Sequence, residues 1–396
     1  MARASKTLLI RYQNNALCPY IAIFLTLSSM WVRLLTRNQS PHPTNKGHNE
    51  VKLSIRKKSI AALAILGAAT VALAGCSAPA AETTDETTGL ASGFGKRAEN
   101  RNVYFFTYYN PAGDAFWAQI LKGGEDAAEL GNLEFTHQTA EGDSAAMVNL
   151  VQTAIATSPA AIVMPFNEGE AWVDVACQAH AAGIPVIAFN VPAPESAGEC
   201  VSGFVGQDFY EVGTIVAKSL LASGQVAKGD KVLITAEEPD QPYALQRGGG
   251  VYDVLKEAGI GVLEQPEWLR TGGDDAGALD ALTSWLVANP DVKVIVPVGG
   301  TPHRNLPAAL AAAGNTTAKV IGFDTAPQIV QGLKDGVILA TADQQGYIQG
   351  FQSVMQTILN IDFGFSAANI NSGGLGLITK DTVGNIEAPD LQGVRF

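Results

Sequence analysis

Polar side chains follow five of the short apolar runs in this 396-residue chain, at points where strands of a parallel sheet would end. They are Thr107, Tyr108, Tyr109 and Asn110, then Asn190, Glu237 with Asp240, the Gly299-Gly300-Thr301 turn, and Asp324. Hydroxyl, amide and carboxylate groups can hydrogen-bond a polar ligand, and open α/β sheets bind ligands beyond the carboxyl ends of their strands. A strand end is often polar only because it faces solvent, but five such groups in one chain indicate a binding cleft.

The motifs that mark common catalytic and cofactor sites are missing from the sequence. It contains no GxxxxGK[ST] loop, no GxSxG elbow, no HExxH pair and no GxGxxG turn between a strand and a helix. Beyond residue 76 the histidines are His137, His180 and His303, which lie too far apart in sequence to indicate a metal site. No nucleophile and base can be paired either. The sequence therefore predicts binding rather than catalysis, with no cofactor and no metal.

The elements that must hold these groups alternate between short β-branched or aromatic runs and Ala-rich amphipathic stretches. Strands are predicted at residues 103–107, 134–137, 161–164, 186–189 and 201–205, and in a second set at 231–235, 261–265, 292–297, 319–323 and 339–342. Helices are predicted between them, for example at 116–130, 145–157, 171–182, 210–221 and 244–258. This alternation indicates parallel sheets covered by helices on both faces, and two sets of strands predict two α/β lobes side by side.

Charge is divided unevenly along the chain. Residues 1–75 hold 10 of the 26 Lys and Arg but one of the 38 Asp and Glu, which leaves 16 against 37 in the remainder, a net charge of −21. Binding to phosphate groups requires the opposite sign, so the charge excludes nucleic acid as a partner. A strongly acidic surface is typical of a soluble, monomeric extracellular protein.

A secretory signal is predicted just before Cys76. A basic cluster at residues 56–58 precedes an apolar run at 60–72 and then small residues. The apolar core is too short to span a hydrocarbon layer of about 30 Å comfortably. The ending resembles the bacterial lipobox, which implies a signal peptide at 51–75, a lipid on Cys76 and a flexible tether at 76–100. The alternative is an N-terminal transmembrane anchor that happens to end in cysteine.

Residues 1–50 fit this arrangement poorly. They contain a second apolar stretch at 16–35, interrupted by Pro19 and Arg33, and two export signals in series are unusual. We interpret residues 1–50 as an upstream extension, with translation starting near Val51. The alternative is a true transmembrane segment at 16–35.

Two of the four cysteines, Cys177 and Cys200, lie in the exported part beyond Cys76. Disulfides persist in oxidising compartments, so we predict a bond between these two residues, worth about 3 kcal/mol by loop closure. Two buried free thiols are the alternative. The sequence has no CxxC spacing, so neither a zinc ribbon nor a thioredoxin-type site is indicated.

From residue 101 to residue 396 the chain resembles the type I periplasmic solute-binding proteins of ABC sugar importers, the ribose-binding-like family. The resemblance lies in six segments: DAFW at 114–117, AGIPVIAFN at 182–190, FVGQD at 204–208, ALQRG at 244–248, VIGFD at 320–324 and ATADQQ at 340–345. Each segment is degenerate alone, but their order and spacing together are specific. The resemblance implies two Rossmann-like lobes, at 101–206 with 345–374 and at 207–344 with 375–396, joined by a hinge of three crossovers.

The resemblance also implies roles for individual residues. Phe116 and Trp117 would stack on a sugar ring, with packing in the core on the helix face as the alternative for both residues. The alternative for Arg247 is a surface position. The whole predicted ligand set is Thr107, Tyr108, Asn110, Asp114, Phe116, Trp117, Asn190, Arg247, Asp324 and Gln344, in which Tyr108 and Asn110 come from a loop that departs from the family pattern.

Three departures from the ribose-type pattern bear on the ligand. The loop after the first strand is about three residues longer and brings in Tyr108, Tyr109 and Asn110. Val191 stands where ribose-type members have Arg, and the turn at 299–301 replaces one that contains Asn. These changes put ribose itself in doubt and leave a small polyhydroxylated ligand.

Together, these observations predict a lipid-anchored, extracytoplasmic binding protein in the cell envelope that captures a small sugar or polyol for an ABC permease. One alternative is a subunit that presents its bound ligand to a sensor kinase or chemoreceptor, and neighbouring genes would discriminate the two. A second is an extracellular sugar-acting enzyme, for which Asp114 and Asp324 are the one candidate acid/base pair.

Overall fold

The computed structural model describes residues 90–265, 267–373 and 376–395, which belong to one compact unit of the chain. The extension predicted at 1–50, the signal peptide predicted at 51–75 and Cys76 lie outside the described residues. Within the described part, no helix is both long enough and apolar enough to cross a membrane.

The first sheet is entirely parallel and has the strand order β12-β5-β4-β3-β1-β2. Its strands are β1 (Asn102–Thr107), β2 (Glu134–Thr139), β3 (Ala161–Met164), β4 (Val186–Asn190), β5 (Gly203–Gly206) and β12 (Ile370–Asn371). The helices α1 (Ala115–Leu130), α2 (Ser144–Ala156) and α3 (Val173–Ala181) connect its strands. All four residues of β3 and all five of β4 are buried, because helices cover both faces of a parallel sheet.

The second sheet has the order β13-β11-β10-β9-β6-β7, with β8 also paired to β6 and only β13 antiparallel among its described strands. Its strands are β6 (Lys231–Ala236), β7 (Gly261–Val262), β8 (Leu269–Arg270), β9 (Val294–Pro297), β10 (Lys319–Phe323), β11 (Ile338–Ala342) and β13 (Leu377–Thr379). The helices that follow the first three are α4 (Phe209–Ser223), α5 (Pro242–Glu257), α6 (Asp275–Ala288), α7 (Gly300–Ala312), α8 (Pro327–Asp335) and α9 (Gly346–Phe363). The last of these, α9, packs on α1 of the first lobe.

The two parallel-sheet lobes predicted from the sequence are confirmed, and all ten predicted strands are present. The largest difference in length is at the strand predicted over 261–265, which is only Gly261–Val262. The chain passes between the sheets after β5, between β11 and α9, and between β12 and β13. The predicted lobe boundaries at 206, 344 and 374 stay a proposal.

Each lobe holds one pair of helices in unusually close contact, and glycine makes both contacts possible. In the α1–α9 pair, a Cβ on Gly350 would lie 1.8 Å from the carbonyl oxygen of Ile120. In the α4–α5 pair, a Cβ on Gly250 would lie 2.3 Å from the carbonyl oxygen of Tyr210. Since no larger residue fits at either place, these glycines set the distance of α1 and α5 from their neighbours. Arg247 lies on α5, so its position depends on this packing.

The tether predicted at 76–100 is too long, because residues 90–100 pack on the first lobe. The backbone N–H groups of Gly95 and Ala98 donate to the carboxylate of Asp362 at 2.6 and 3.1 Å, and Arg101 forms an ion pair with it at 2.7 Å. The ring of Phe94 packs against the core of the first lobe. These contacts are made mainly by backbone groups, which leave no apolar periodicity in the sequence.

Cys177 on α3 and Cys200 form a disulfide in this structure, with a Cα–Cα distance of 4.7 Å. The bond ties α3 to the short helical segment Glu195–Cys200 that leads into β5. It lies in the first lobe, and it closes a loop that includes β4.

Candidate functional site

A cavity of about 220 Å³ lies between the carboxyl ends of the two sheets. Residues from both lobes line it, which is where an open α/β sheet places a ligand. Eight of the ten sequence-predicted site residues are among them: Asn110, Asp114, Phe116, Trp117, Asn190, Arg247, Asp324 and Gln344. We call this space the ligand cavity.

The wall on the side of the first sheet is largely aromatic. The rings of Tyr109 and Phe116 both lie edge-on to Trp117, with centroids 6.3 and 5.9 Å away. Trp117 is only 4% exposed and also packs against Phe189, so it is part of the core as well as of the cavity wall. Asp114 caps helix α1, where its Oδ1 accepts hydrogen bonds from the N–H groups of Phe116 and Trp117 at 3.0 and 3.1 Å. The cap fixes the start of the helix that carries both rings.

Strands β4 and β10 end in the same uncommon backbone conformation. Asn190 has a φ of +59° and Asp324 a φ of +76°, in the left-handed region that costs a residue with a Cβ about 1–2 kcal/mol. Asn and Asp tolerate it best, and strain of this kind is concentrated at functional sites. Both side chains line the ligand cavity.

A continuous set of buried hydrogen bonds joins these strand ends to the opposite wall. The amide of Asn190 donates to Oε1 of Gln344 at 3.3 Å, and Nη2 of Arg247 donates to the same oxygen. The amide nitrogen of Gln344 donates to Oδ1 of Asp324. Nη1 of Arg247 donates to the carbonyl of Val298 at 2.9 Å. Gln344 therefore links three side chains, those of Asn190, Arg247 and Asp324, and holds the last two in fixed directions.

Burial sets the charge state of this cluster. The guanidinium of Arg247 lies between the rings of Phe209 and Phe323, 4.3 and 4.7 Å from their centroids, and burial lowers its pKa. Burial also raises the pKa of Asp324 to about 6, against the opposing effects of Arg247 and the Gln344 amide. Asp324 is therefore mostly ionised at neutral pH and becomes protonated in mildly acidic solution.

Glu237 lines the cavity and was not in the predicted site, although it was noted at its strand end. Its Oε1 accepts from the N–H of Thr301 at 2.7 Å, and its Oε2 accepts from the hydroxyl of Tyr243 at 2.7 Å. A Cβ on Gly299 would lie 1.7 Å from the carboxylate, so only glycine lets it approach the start of α7. Such a carboxylate is favourable at a helix N-terminus.

Arg304 was also missed, because it lies inside a helix with no motif around it. Its Nη1 donates to Oδ2 of Asp114 at 3.2 Å, and its Nε donates to Asp275 at 2.7 Å. The first of these ion pairs joins the two walls of the cavity. It also means that both oxygens of Asp114 are engaged, which leaves this carboxylate poorly suited to act as a catalytic acid or base.

Two buried polar atoms, each on a residue that lines the cavity, have no hydrogen-bond partner among the described residues. They are Oδ1 of Asn167, an acceptor, and Nε of Arg247, a donor. A buried polar group without a partner costs about 1–3 kcal/mol. A ligand that both accepts and donates hydrogen bonds would satisfy the two atoms together.

The structure does not bring Thr107 and Tyr108 together with the other eight predicted site residues, since neither lines the ligand cavity. Oγ1 of Thr107 lies 2.9 Å from Nε2 of His137, inside the first lobe. The hydroxyl of Tyr108 donates to Glu168 at 2.6 Å, and the next residue, Tyr109, lines the cavity instead. Tyr108 is 3% exposed, and its ring lies edge-on to Trp172, so it is held in the core of the first lobe.

The lining of the ligand cavity carries more negative than positive formal charges. Its lining contains four carboxylates and two guanidinium groups: Asp114, Glu141, Glu237, Asp324, Arg247 and Arg304. The formal net charge of the lining is thus −2, which disfavours an anionic ligand. Among the described residues, no group of three or more His, Cys, Asp and Glu side chains is placed to hold a metal ion.

Comparison with known proteins places the chain in a family. A family model described as a periplasmic binding protein domain matches residues 104–363. The xylose/arabinose-binding protein XylF of Sulfolobus acidocaldarius is 25% identical over 250 residues, which cover 60% of this chain and 60% of that protein. The D-ribose/D-allose-binding protein of Pseudomonas aeruginosa is 29% identical over 209 residues, covering 52% of this chain and 64% of that protein. The chain thus aligns with less than two thirds of either relative.

A solved structure shows the same fold. The carbohydrate transporter of Acidothermus cellulolyticus 11B, in complex with myo-inositol, superposes with a TM-score of 0.65 at 24% identity, over 75% of this chain and 100% of that one. An identity this low supports the fold alone. The family model, by contrast, spans residues 104–363, well over half of the 396-residue chain, so the chain belongs to the periplasmic binding protein domain family.

Proposed function

We propose that this chain captures one neutral monosaccharide or polyol outside the cytoplasm and delivers it to the permease of an ABC importer. The observation that carries the proposal is the ligand cavity, where an aromatic wall faces the buried cluster of Arg247, Gln344 and Asp324. A sugar ring has the complementary surfaces, namely apolar C–H faces and a rim of hydroxyls that both donate and accept hydrogen bonds. The two relatives are named for xylose, arabinose, ribose and allose, which supports the same ligand class here.

Individual contacts follow from the groups on each wall. The half-buried ring of Phe116 offers an apolar face to one side of the sugar. On the other side, the Asp324 carboxylate accepts from hydroxyl donors, and the rigid fork of Arg247 donates to hydroxyl oxygens through its unpartnered Nε. Oδ1 of Asn167 accepts one further hydroxyl. Each of these bonds satisfies a group that is already buried, so the ligand gains affinity without a large cost of desolvating the protein.

Size and charge narrow the ligand class. A volume of about 220 Å³ is below the range of about 300–1,000 Å³ that is usual for pockets of drug-sized ligands, so a single ring fits the ligand cavity. The formal charge of −2 on the lining disfavours sugar phosphates and uronic acids. Neutral pentoses, hexoses, pentitols and cyclitols remain as candidates.

Lobe closure couples capture to delivery. The ion pair between Asp114 and Arg304, at 3.2 Å, and the hydrogen bond between Asn190 and Gln344 both cross the cleft. A ligand that touches both walls adds contacts that exist only when the lobes are closed, and this shifts the population toward the closed form. The permease would then recognise that form.

The proposal includes attachment to the membrane by a lipid on Cys76, in a protein that acts as a monomer in the cell envelope. The sequence before Cys76 supports attachment, and the residues from 76 to 89 would then form the tether. A Cys76→Ala protein should leave the membrane fraction and appear in the soluble extracytoplasmic fraction on immunoblotting. Unchanged membrane association would contradict lipid anchoring and favour a transmembrane anchor.

A sugar-acting enzyme is a less well supported hypothesis for this cleft than a sugar-binding protein. The members of this family are transport proteins rather than enzymes. Ligand presentation to a sensor kinase or chemoreceptor uses the same closed form, and no contact within residues 90–265, 267–373 and 376–395 favours it over transport.

Thermal unfolding of the purified protein tests the proposed function. We would measure the midpoint with xylose, arabinose, ribose, allose, glucose, galactose and myo-inositol at millimolar concentration, with glucose 6-phosphate and glucuronate as anionic controls. A micromolar ligand at thousandfold excess stabilises by about 4 kcal/mol, which raises the midpoint by roughly 10 °C. A shift with a neutral sugar and none with the anions supports the proposal. No shift with any neutral compound would refute it.

A further inference from the structure

The cleft continues beyond the ligand cavity into a second space of about 600 Å³, which we call the outer chamber. It is lined by Tyr108, Tyr109, Gln241 and five carboxylates. Tyr109, Glu141 and Gly273 line both spaces, so the two are neighbours along one cleft. The inference that follows rests on the proposed function, because it concerns the part of a ligand that extends from the ligand cavity.

The ring of Tyr109 forms the partition between the two spaces. It lies between Gly142 and Gly273, where an added Cβ would approach its Cε1 to 3.1 and 3.0 Å. Gly142 follows β2 of the first lobe, and Gly273 precedes α6 of the second. A Cβ at either position would crowd the ring, so glycine at both positions lets the two loops pack against Tyr109 at the boundary between the two spaces.

The lining of the outer chamber consists mainly of hydrogen-bond acceptors. Its carboxylates are Glu141, Glu168, Glu238, Asp240 and Asp274. Arg270 forms ion pairs with Glu238 and Asp240, which offsets only part of this charge. A phosphate or carboxylate substituent on the ligand would be repelled here, whereas hydroxyl donors would be bound.

A buried acceptor in the outer chamber lacks a partner. Gln241 is only 7% exposed, and its Nε2 donates to Oε1 of Glu168 at 2.8 Å, but its own Oε1 has no hydrogen-bond partner among the described residues. The hydroxyl of Tyr108 donates to the same Glu168 oxygen at 2.6 Å. The amide is thus held in one orientation, and a donor on a ligand would satisfy its oxygen.

We propose that the outer chamber is a second sugar subsite, so that the chain binds a disaccharide or glycoside with one ring in the ligand cavity and a second ring in the outer chamber. The volume favours a second ring over a small substituent such as an amine, since the chamber is larger than the ligand cavity. The half-buried ring of Tyr109 offers an apolar surface, and Gln241 with the surrounding carboxylates accepts hydrogen bonds from the hydroxyls.

Isothermal titration calorimetry on the purified full chain tests the proposal with matched pairs of ligands. The pairs are D-xylose with xylobiose, D-glucose with maltose and with cellobiose, and D-galactose with melibiose and with lactose, which cover α and β linkages. We expect one disaccharide to bind at least tenfold more tightly than its monosaccharide. In Gln241→Leu, the ratio of the two affinities should fall to near one, while the exposed control Gln225→Leu keeps the wild-type ratio.

The ratio distinguishes the subsite from a general effect on closure, because a change in lobe closure alters both members of a pair equally. If monosaccharides bind and no disaccharide binds more tightly, the second subsite is refuted and the proposed function stands. An unchanged ratio in Gln241→Leu would also refute the role of the outer chamber. If no compound in any pair binds, this inference is refuted, and the proposed function is decided separately by the wider thermal-unfolding panel.

Discussion

On the first wall of the ligand cavity, β4 ends at Asn190 with a φ of +59°, and on the second wall Asp324, with a φ of +76°, directly follows the end of β10. The two strand ends share a backbone conformation but carry an amide in one lobe and a carboxylate in the other. The same contrast extends to their neighbours, since Phe116 and Trp117 lie on the first wall, and Arg247 lies on the second. The backbone conformation is thus repeated in the two lobes, and under the proposed function the first wall would contact the faces of a sugar ring and the second wall its hydroxyls.

The helix pairs show the same repetition. Gly350 brings α9 against α1, and Gly250 brings α5 against α4, in each case at a distance that excludes a Cβ. These contacts place an aromatic helix on one side of the cleft and an arginine helix on the other. Backbone packing therefore determines where the walls stand, and side chains determine what each wall recognises.

Removing the negative charge of Asp324 on the second wall should have the largest effect on the affinity for sugar. Asp324→Asn retains the shape and tolerates the left-handed backbone, but it loses hydrogen bonds to a charged acceptor that are worth about 1.5–3 kcal/mol. We expect affinity for the stabilising sugar to fall by about 30-fold in calorimetry, with circular dichroism unchanged. The exposed Asp335→Asn serves as the control. Unchanged affinity in Asp324→Asn would mean that the second wall does not bind the hydroxyls.

Removing the main ring of the first wall should have a smaller effect. Phe116→Ala loses apolar contact with one face of the sugar, about 1.5 kcal/mol, and should weaken binding about tenfold. The solvent-exposed Phe365→Ala should leave the affinity unchanged. If Phe116→Ala weakens binding more than Asp324→Asn does, the order of the two walls is reversed.

Lowering the pH should weaken sugar binding, and the effect should come only from protonation of Asp324 on the second wall. The pKa of Asp324 is raised to about 6, chiefly by burial, and a sugar that donates to the carboxylate binds its ionised form better. Below pH 6 the free protein becomes protonated at Asp324, so affinity should fall about tenfold between pH 7.5 and pH 5. Calorimetry in Asp324→Asn should show no such dependence. A wild-type affinity that is flat over this range would contradict the assignment.

Removing the ion pair between Asp114 and Arg304, which links the two walls, should have the smallest effect on the affinity for sugar. Arg304→Gln removes the partly buried ion pair with Asp114, which we expect to contribute about 0.7 kcal/mol to closure and about threefold to affinity. Small-angle X-ray scattering without sugar should show a larger radius of gyration than in the wild type. The surface variant Arg97→Gln is the control, and equal scattering from all three proteins would argue against a role in closure.

Most of the fold could be predicted because its signals are local. Strands such as Ala161–Met164 are continuous apolar runs, and the helices between them have amphipathic spacing. The two-residue strands β8 and β12 were not predicted, since each forms only where a neighbouring strand supplies its hydrogen bonds. The docking of residues 90–100 was missed for a related reason, because backbone N–H groups bind Asp362 there.

The sequence indicated which residues lie at strand ends, but it could not indicate which way each side chain points. Asp324 and Asn190 were found because they end strands, and Arg247 and Gln344 came from the family resemblance. Glu237 had the same strand-end signal as Asp324 and could have been included. The role of Arg304 carried no such signal, because its partner Asp114 lies 190 positions away in the chain.

The sequence by itself determined that there are two parallel-sheet lobes and that polar groups gather at the ends of their strands, because periodicity and composition are properties of neighbouring residues. Only the tertiary structure decided which of Tyr108 and Tyr109 faces the ligand cavity, and that the amide of Gln344 joins Arg247 to Asp324. These outcomes depend on how closely packed helices and strand ends approach one another. That approach depends on contacts between residues far apart in the chain, and no local pattern encodes it.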